Sequence, residues 1–454
     1  MNDKMLSLKN IAKPWHLNQT KPLTGTENST TFTLELEDNS TYIWNCLAYD
    51  EAGNSNWSDE NFTLYLPFPL NFFQYPTISF HNETTEIIRF EAEKAANGTV
   101  EYGTTPSYGN IKNLQEHKIA HEFNITSLTP GTKYYYRINI SNISEGFAYF
   151  VSFNSSFNTS DDDATSFIFA VLGDTRTQDP SATNVGVNEE IFGKLVSYIT
   201  ERNPDFVINV GDAVDSWTTY ATAREAWKEY TDVVWNLTDH IPVFIAIGNH
   251  EKPEQEGPLK RYREVVIHPH NGDGSTSCDP DNCYDETTYW FRYGNSLFIF
   301  LNTDELPVEN EANITGAQYD WFDDTVKKTG YTHKFVFAHR PLVGCNRDGT
   351  LLVEDPTWSA HLDNLMYDNG VTAAFYGHEH LFCYNTTHNE EMKHIITGGG
   401  GAELASTCNA CLGTECFADP EYNYLIVNIT GNMMNVTVYN HTNDVKYKFG
   451  RIMD

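Results

Sequence analysis

The sequence predicts a multidomain chain in which two all-β modules precede a larger α/β domain. Three observations carry this. A length of 454 residues exceeds that of one ordinary domain. Up to about residue 160 the apolar residues come in short alternating runs separated by Asn, Asp and Gly, the pattern of half-buried antiparallel strands. From about Ser166 the runs turn near-continuous and apolar, with helical periodicity between some of them, as expected of strands covered on both faces.

The first module, residues 1–70, contains the runs "TFTLELED", "TYIWNCLAYD" and "NFTLYL". The "YIWNCLAYDEAGN" stretch, with alternating aromatics and a closing turn, resembles the second half of an immunoglobulin-like module. A sandwich of that type needs about 100 residues, so its opening strands are expected to be missing and Met1 to be an internal start or the start of a truncated gene. The second module, residues 71–160, is clearest in "TVEYGTTPSYG" and "FNITSLTPGTKYYYRINIS". There Pro130-Gly131 turns the chain into a strand that sets Tyr134 and Tyr136 against Tyr135 and Arg137. It resembles a fibronectin type III-like domain, and a spacer role is expected for it. The polar "NTSDDDATS" then links to the third part, residues 161–454.

Composition narrows the function. Lys+Arg 29 against Asp+Glu 62 gives a net charge of −33 and a pI near 4.7, which argues against a nucleic-acid or anionic-membrane partner. A small anionic substrate would need local positive charge, such as metal ions. No run of 18 or more apolar residues is present, so no transmembrane segment is expected. The start "MNDKMLSLKNIAKPW" lacks the apolar core of a signal peptide, yet twelve Asn-x-Ser/Thr sites lie between Asn18 and Asn158. That density suits an exported, glycosylated surface, extracellular or held at the cell surface through the missing N-terminal region. The eight cysteines fall in Gly/Asp/Asn-rich segments and read as disulfide staples of an oxidising compartment, with Cys278–Cys283 the favoured pair. A zinc site in "CNACLGTEC" is the alternative.

The chemistry lies in the residues just past each apolar strand of the third part. "FIFAVL" is followed by Gly173-Asp174, "FVINV" by Gly211-Asp212, and "VFIAI" by Gly248-Asn249-His250-Glu251. "KFVFA" is followed by His339, and "VTAAFY" by Gly377-His378-Glu379-His380. The intervals are 38 residues from Asp174 to Asp212, 37 from there to Asn249, and 39 from His339 to His378, each long enough for one β-α-β step. One such residue alone is a cap or turn residue. Five metal-competent strand ends in register predict a metal site at one edge of a parallel sheet.

These five segments resemble the calcineurin-like metallophosphoesterases, and among them most nearly the purple acid phosphatases, whose N-terminal domain the second module would match. The resemblance implies a four-layer α/β/β/α catalytic domain over residues 161–454. It implies two divalent or mixed-valence metal ions drawn from iron, zinc and manganese. Asp174, Asp212 and His380 would hold one, and Asn249, His339 and His378 the other, with Asp212 bridging. Carboxylates would neutralise the cations while imidazole and amide ligands leave them Lewis-acidic enough to activate water.

Two positions depart from the purple acid phosphatase pattern, where the third residue of the first motif is Gly and the fifth of the second is the Tyr that colours the ferric enzyme. Here they are Arg176 and Asp215. Arginine stays protonated and cannot ligate, and Asp215 has no phenolate, so neither the purple colour nor a ferric preference is expected. "GDAVDSW" is instead similar to the Gly-Asp-x-Val-Asp motif of calcineurin-type phosphatases, which makes His250 the general acid and Asp215 its buttress. Asp215 as a cap or as a further ligand is the alternative. Arg176 would grip a phosphate oxygen, with a surface salt bridge as the alternative.

Arg340 and Glu379, between ligands, are read as facing away from them. Asp304 is read as a supporting or turn residue, and "TGGGGAEL" as a Gly-rich turn on the pocket floor. The expected function is a secreted or surface-displayed hydrolase of a small phosphorylated substrate, first of all a phosphomonoester. The alternatives are a phosphodiesterase or nucleotidase, and a surface adhesion protein with an inert phosphatase-like domain.

Overall fold

The structure is a computed structural model. It describes the backbone of residues 2–10, 16–23, 40–49, 55–57 and 62–66, and residues 70–453 apart from 145–146, 162, 178–185, 217–218, 252–255, 273–286, 305–313, 315, 346–355 and 406–415. Two compact units are distinguished, Met1–Asn71 with Ile143–Tyr149, and Phe72–Asn142 with Phe150–Asp454.

In the first unit, β1 (Asn2–Asn10), β2 (His16–Leu23), β3 (Ser40–Tyr49), β4 (Ser55–Trp57) and β5 (Phe62–Leu66) form one sheet in the order β2-β1-β3-β4, with β5 also on β3. The expected runs around Ile43 and Leu64 are β3 and β5. The run "TFTLELED" lies outside the described residues, and β1 and β2, which alternation did not announce, add two strands ahead of it.

The second unit opens with β6 (Phe72–Asn82), β7 (Thr85–Gly103), β8 (Asn110–Ile125) and most of β9 (Lys133–Ser144) and β10 (Phe147–Asn158), whose residues 143–144 and 147–149 belong to the first unit. They form one sheet in the order β10-β9-β7-β6, with β8 also on β7, and β6, β8 and β9 each run antiparallel to β7. The inward residues of β9, Tyr134, Tyr136, Ile138 and Ile140, are all buried, as the Tyr/Arg alternation predicts.

In chain order, the rest of the unit comprises β11 (Ser166–Leu172), α1 (Glu189–Arg202), β12 (Phe206–Asn209), α2 (Tyr220–Thr238), β13 (Val243–Ile245), α3 (Glu256–Val265), β14 (Tyr289–Tyr293) and β15 (Ser296–Phe300). Then come α4 (Gly316–Val326), β16 (His333–Phe337), α5 (Pro356–Asp368), β17 (Ala373–Tyr376), β18 (Phe382–Thr387) and β19 (Met392–Thr397). The chain closes with β20 (Cys416–Asp419), β21 (Asn423–Thr430), β22 (Met433–Asn440) and β23 (Val445–Ile452).

Two sheets result. One has the order β13-β12-β11-β21-β22-β23, the other β14-β15-β16-β17-β19-β18-β20. The first three strands of the one run parallel, as do β15, β16 and β17 of the other. The candidate ligand strands are therefore divided between two sheets rather than gathered on the edge of one. Periodicity sees strands and helices but not which strands pair.

An aromatic core is shared by both sheets, with Phe169, Phe206 and Phe244 from one and Phe298, Phe335, Phe337 and Phe375 from the other. Phe169 and Phe206 stack at 5.4 Å, and Phe169 meets Phe298 edge-on at 5.4 Å. Full burial of one such ring contributes about 1.5–3 kcal/mol. A second cluster joins the first sheet to α1, α2 and α3, and a third joins the second sheet to α4 and α5.

The β6–β10 module is more than a spacer. Phe80 of β6 is buried in the shared aromatic core, 5.1 Å from Phe244 and 5.4 Å from Phe291. Arg89 donates to the carbonyls of Arg263 and Val266, Tyr136 Oη donates to Asp239 O at 2.6 Å, and Glu91 pairs with Arg224 and Arg261. Sequence alternation marks which residues of a strand are buried but not the partner that buries them.

Candidate metal centre

Each candidate ligand sits just past a strand, where the backbone turns sharply. Asp174, Asp212 and His378 have φ of 57°, 51° and 66°, a left-handed region that non-glycine residues seldom enter and that clusters at functional sites. The preceding glycines make room. Gly211 has φ +94°, and a Cβ there would come 2.7 Å from His339 Nδ1; a Cβ on Gly377 would come 2.5 Å from Asp174 Oδ2. At these positions glycine lets ligand side chains from the two sheets approach each other.

Asp174, Asp212 and His380 are buried, and one ligand atom from each lies within 4.8 Å of the others, a group that could hold a metal ion. His380 Nδ1 donates to the Glu403 carbonyl at 2.7 Å. A carbonyl only accepts, so Nδ1 carries the proton and Nε2, 3.3 Å from Asp174 Oδ1, presents its lone pair inward. His339 is fixed in the same way, with Nδ1 donating to Val210 O at 3.0 Å.

A second set of donor atoms gathers around Asn249 Oδ1, which lies 3.2 Å from His339 Nε2 and 3.1 Å from His378 Nδ1. Asp212 Oδ1 is 3.2 Å from the same His339 Nε2, so Asp212 touches both groups. Two carboxylates, an amide oxygen and three imidazoles are a donor set suited to transition-metal cations.

The remaining predicted residues surround these six. His250 donates its backbone N–H to Asp212 Oδ1 at 2.8 Å, and its Nδ1 lies 3.3 Å from Asp215 Oδ1. Arg176 is buried and donates from Nε to Asp212 Oδ2 at 3.1 Å, with Nη2 3.4 Å from His380 Nε2. The surface salt bridge considered for Arg176 is therefore a buried one within the centre.

Electrostatics fit a site built for cations. Burial alone would raise the Asp212 carboxyl, yet His339, His250 and Arg176 hold it well below the usual carboxylate range. Burial would lower the His339 pKa, but Asp212, Asp174 and Asp304 push it up to about 10. His378 falls well below the usual histidine value through burial and the neighbouring His339 and Arg340 charges.

Sequence reasoning missed three supports. Glu251 is fully buried and accepts N–H bonds from Asp212 at 3.0 Å, Val214 at 3.1 Å and Gly248 at 2.7 Å, tying the loops after β12 and β13 together. Burial and the Asp212 charge raise its pKa to about 8; its place at the end of the Gly-Asn-His-Glu run was the only signal. Arg340 faces the centre rather than away, with Nη1 3.2 Å from His378 Nε2 and Nε 2.5 Å from Asp304 Oδ1. Third, a Cys345–Cys383 disulfide links the loop after His339 to the strand after His380. The favoured Cys278–Cys283 pair and the "CNAC" cysteines lie outside the described residues.

Glu379 does face away, accepting the Cys345 N–H at 2.8 Å. The Gly-rich turn packs under the first ligand loop, where Gly400 N–H donates to Gly173 O and Ala402 N–H to Asp174 O. Among the described residues no helix is long and apolar enough to cross a membrane.

Comparison with known proteins agrees with this geometry. The calcineurin-like phosphoesterase family profile matches residues 168–382. Purple acid phosphatase 23 of Arabidopsis thaliana is 26% identical over 347 residues, covering 69% of this chain and 68% of its own length. Probable inactive purple acid phosphatase 9 of the same plant is 23% identical over 314 residues, or 61% of this chain, which spans only 46% of that relative. Among solved structures, purple acid phosphatase PPD1 from yellow lupin (Lupinus luteus) seeds has a similar fold, with a TM-score of 0.68 at 15% identity over 92% of this chain and 80% of that one. Residues 168–382 are a calcineurin-like phosphoesterase domain, in a chain that is similar to the purple acid phosphatases.

Proposed function

We propose that the protein is a dinuclear phosphomonoesterase acting outside the cell. Its catalytic domain would span residues 161–454 in a four-layer α/β/β/α order, preceded by an immunoglobulin-like part (1–70) and a fibronectin type III-like domain (71–160). Asp174, Asp212 and His380 would hold one cation, and Asn249, His339 and His378 the other, with Asp212 beside both groups. The observation that carries this reading is the convergence on Asp212. Its two carboxylate oxygens lie beside His339 and Arg176, and its carboxylate completes the group with Asp174 and His380.

When bound, the cations supply Lewis acidity for activating water and neutralising phosphoryl charge. The chain's own residues supply the rest. Asp215 accepts from His250 Nδ1 and so turns Nε2 toward the centre, 4.0 Å from Asp212 Oδ2, where it can protonate a departing alkoxide. Arg176 fixes Asp212 and offers its planar fork to a phosphate oxygen. The Cys345–Cys383 disulfide and the abundant glycosylation sequons support an oxidising, extracytoplasmic setting.

The test is elemental analysis of purified protein with hydrolysis assays on aryl and alkyl phosphomonoesters and on diesters. Two metals per chain with faster monoester cleavage are expected. Full metal content with no hydrolysis of either class would leave the inert reading standing, and faster diester cleavage would favour a phosphodiesterase.

A further inference from the structure

We propose that Glu91, in the β6–β10 module, is a positioning residue for the reaction. It clamps α2 to α3 and so sets the distance between Asp215 and His250, which stand on the loops leading into those two helices. The inference rests on the phosphoesterase reading of the site and deepens it.

Arg89 and Glu91 are two residues apart on β7 and therefore share one face of the strand. Both reach the helices. Arg89 Nη1 donates to the carbonyls of Arg263 at 3.0 Å and Glu264 at 3.1 Å in the last turn of α3, where a cation suits the helix dipole. Glu91 is divided between the two helices. Its Oε1 accepts from Arg224 of α2, with Nε at 3.2 Å, and its Oε2 accepts from Arg261 Nη1 of α3 at 2.8 Å. The Glu91 and Arg261 side chains are 8% and 3% exposed. A buried ion pair adds little stability over apolar packing of similar volume. What one carboxylate held between arginines of two helices does fix is the spacing of those helices.

α2 and α3 also meet directly. Tyr220 Oη donates to Glu264 Oε2 at 2.6 Å, and Trp227 meets Tyr262 edge-on at 6.0 Å. Arg224 lies over the Phe73 ring of β6 at 3.4 Å, a second hold of the module on α2.

From the helices the constraint runs into the site. α2 begins at Tyr220, five residues after Asp215, and α3 at Glu256, six residues after His250. Thr222, in the first turn of α2, donates from Oγ1 to Ser216 O at 3.2 Å, and the Ser216 N–H donates to His250 O at 3.0 Å. Asp215, one residue earlier, meets His250 Nδ1 at 3.3 Å. That contact is long for a hydrogen bond, so a small displacement of either loop leaves the imidazole without its aim. The module supplies the support from behind.

The experiment compares full-length metal-loaded wild type with Glu91→Gln and with Arg224→Gln. The second variant cuts only the α2 arm and leaves buried Arg261 paired, so it tests the clamp even where Glu91→Gln fails to fold. For each, kcat and KM are measured on an alkyl phosphate and on nitrophenyl phosphate, and hydrogen exchange is followed in the peptide containing Asp215 and Ser216. In both variants kcat on the alkyl ester should fall by about 10- to 100-fold with KM unchanged. The nitrophenyl ester should change much less, because its leaving group needs no proton. The Ser216 amide should exchange about 10-fold faster. In a folded variant, wild-type kcat on the alkyl ester or equal losses on the two esters would overturn the proposal and leave Glu91 a stability element. A wild type that hydrolyses neither ester would remove the phosphoesterase reading. Exchange at Ser216 would then decide the clamp by itself, faster exchange in the variants upholding it and unchanged exchange overturning it.

Discussion

His250 Nδ1 lies 3.3 Å from Asp215 Oδ1, and the His250 backbone N–H is bound to Asp212 Oδ1 at 2.8 Å. The imidazole is thereby aimed by one aspartate and anchored by another. His250→Ala should leave metal content intact and slow phosphomonoester cleavage by roughly 10²- to 10⁴-fold. The deficit should be larger for alkyl esters than for nitrophenyl esters, because a nitrophenolate departs without a proton. Asp215→Asn should show a milder form of the same selectivity. Equal slowing of both ester classes would assign His250 to phosphate binding, and loss of a metal in Asp215→Asn would make Asp215 a ligand.

The two donor groups share only Asp212. His380→Ala and His378→Ala are therefore each expected to lose about one of two metals, and Asp212→Ala to lose both, by elemental analysis against protein concentration. With Asp215 where the coloured enzymes carry tyrosine, the ferric-loaded protein should show no tyrosinate band in its visible spectrum. Such a band would mean that another phenolate reaches the centre.

How much of the site is legible in the sequence differs from residue to residue. The strands ending at Leu172, Asn209, Phe337 and Tyr376 are readable because buried parallel strands are near-continuously apolar, and Asp174, Asp212, His339 and His378 are readable because they come directly after those strands. Glu251 and Arg340 are not, because their roles depend on bonds across loops, to backbone N–H groups at Asp212 and Gly248 in one case and to Asp304 in the other. Nor is the division of the ligands between two sheets. Strand order is set by contacts between distant segments, and periodicity is local.

The β6–β10 module is expected to matter for stability. Phe80→Ala should cost about 3–5 kcal/mol, because Phe80 lies in the aromatic core beside Phe244 and Phe291. A chain beginning near Asp161 should unfold at lower temperature and denaturant than the full chain. Equal melting temperatures would restore the spacer role expected from sequence.

Glu86 is fully buried, neither carboxyl oxygen has a hydrogen-bond partner, and burial raises its pKa well above the ordinary value. Because the folded-state pKa is the higher one, this group favours the fold below its unfolded pKa, about 4.3, and that advantage is lost as pH rises toward the folded value. The expected slope for this one group is about 1.4 kcal/mol per pH unit. Glu86→Gln should raise the melting temperature at pH 7 to 8 and change it little near pH 4. A shift that is the same at both pH values would mean that Glu86 is not protonated in the fold.

The Phe169–Phe298 contact at 5.4 Å acquires another meaning once the ligands are assigned to their sheets. Asp174, Asp212 and Asn249 hang from one sheet, and His339, His378 and His380 from the other. The distance across the centre is therefore gauged by the thickness of the phenylalanine layer behind it. The rings act as shims. Thinning the layer at Phe169 or Phe337, with every ligand left in place, would detune the jaws of the site from behind, so the core of this enzyme-like domain is also its calibration.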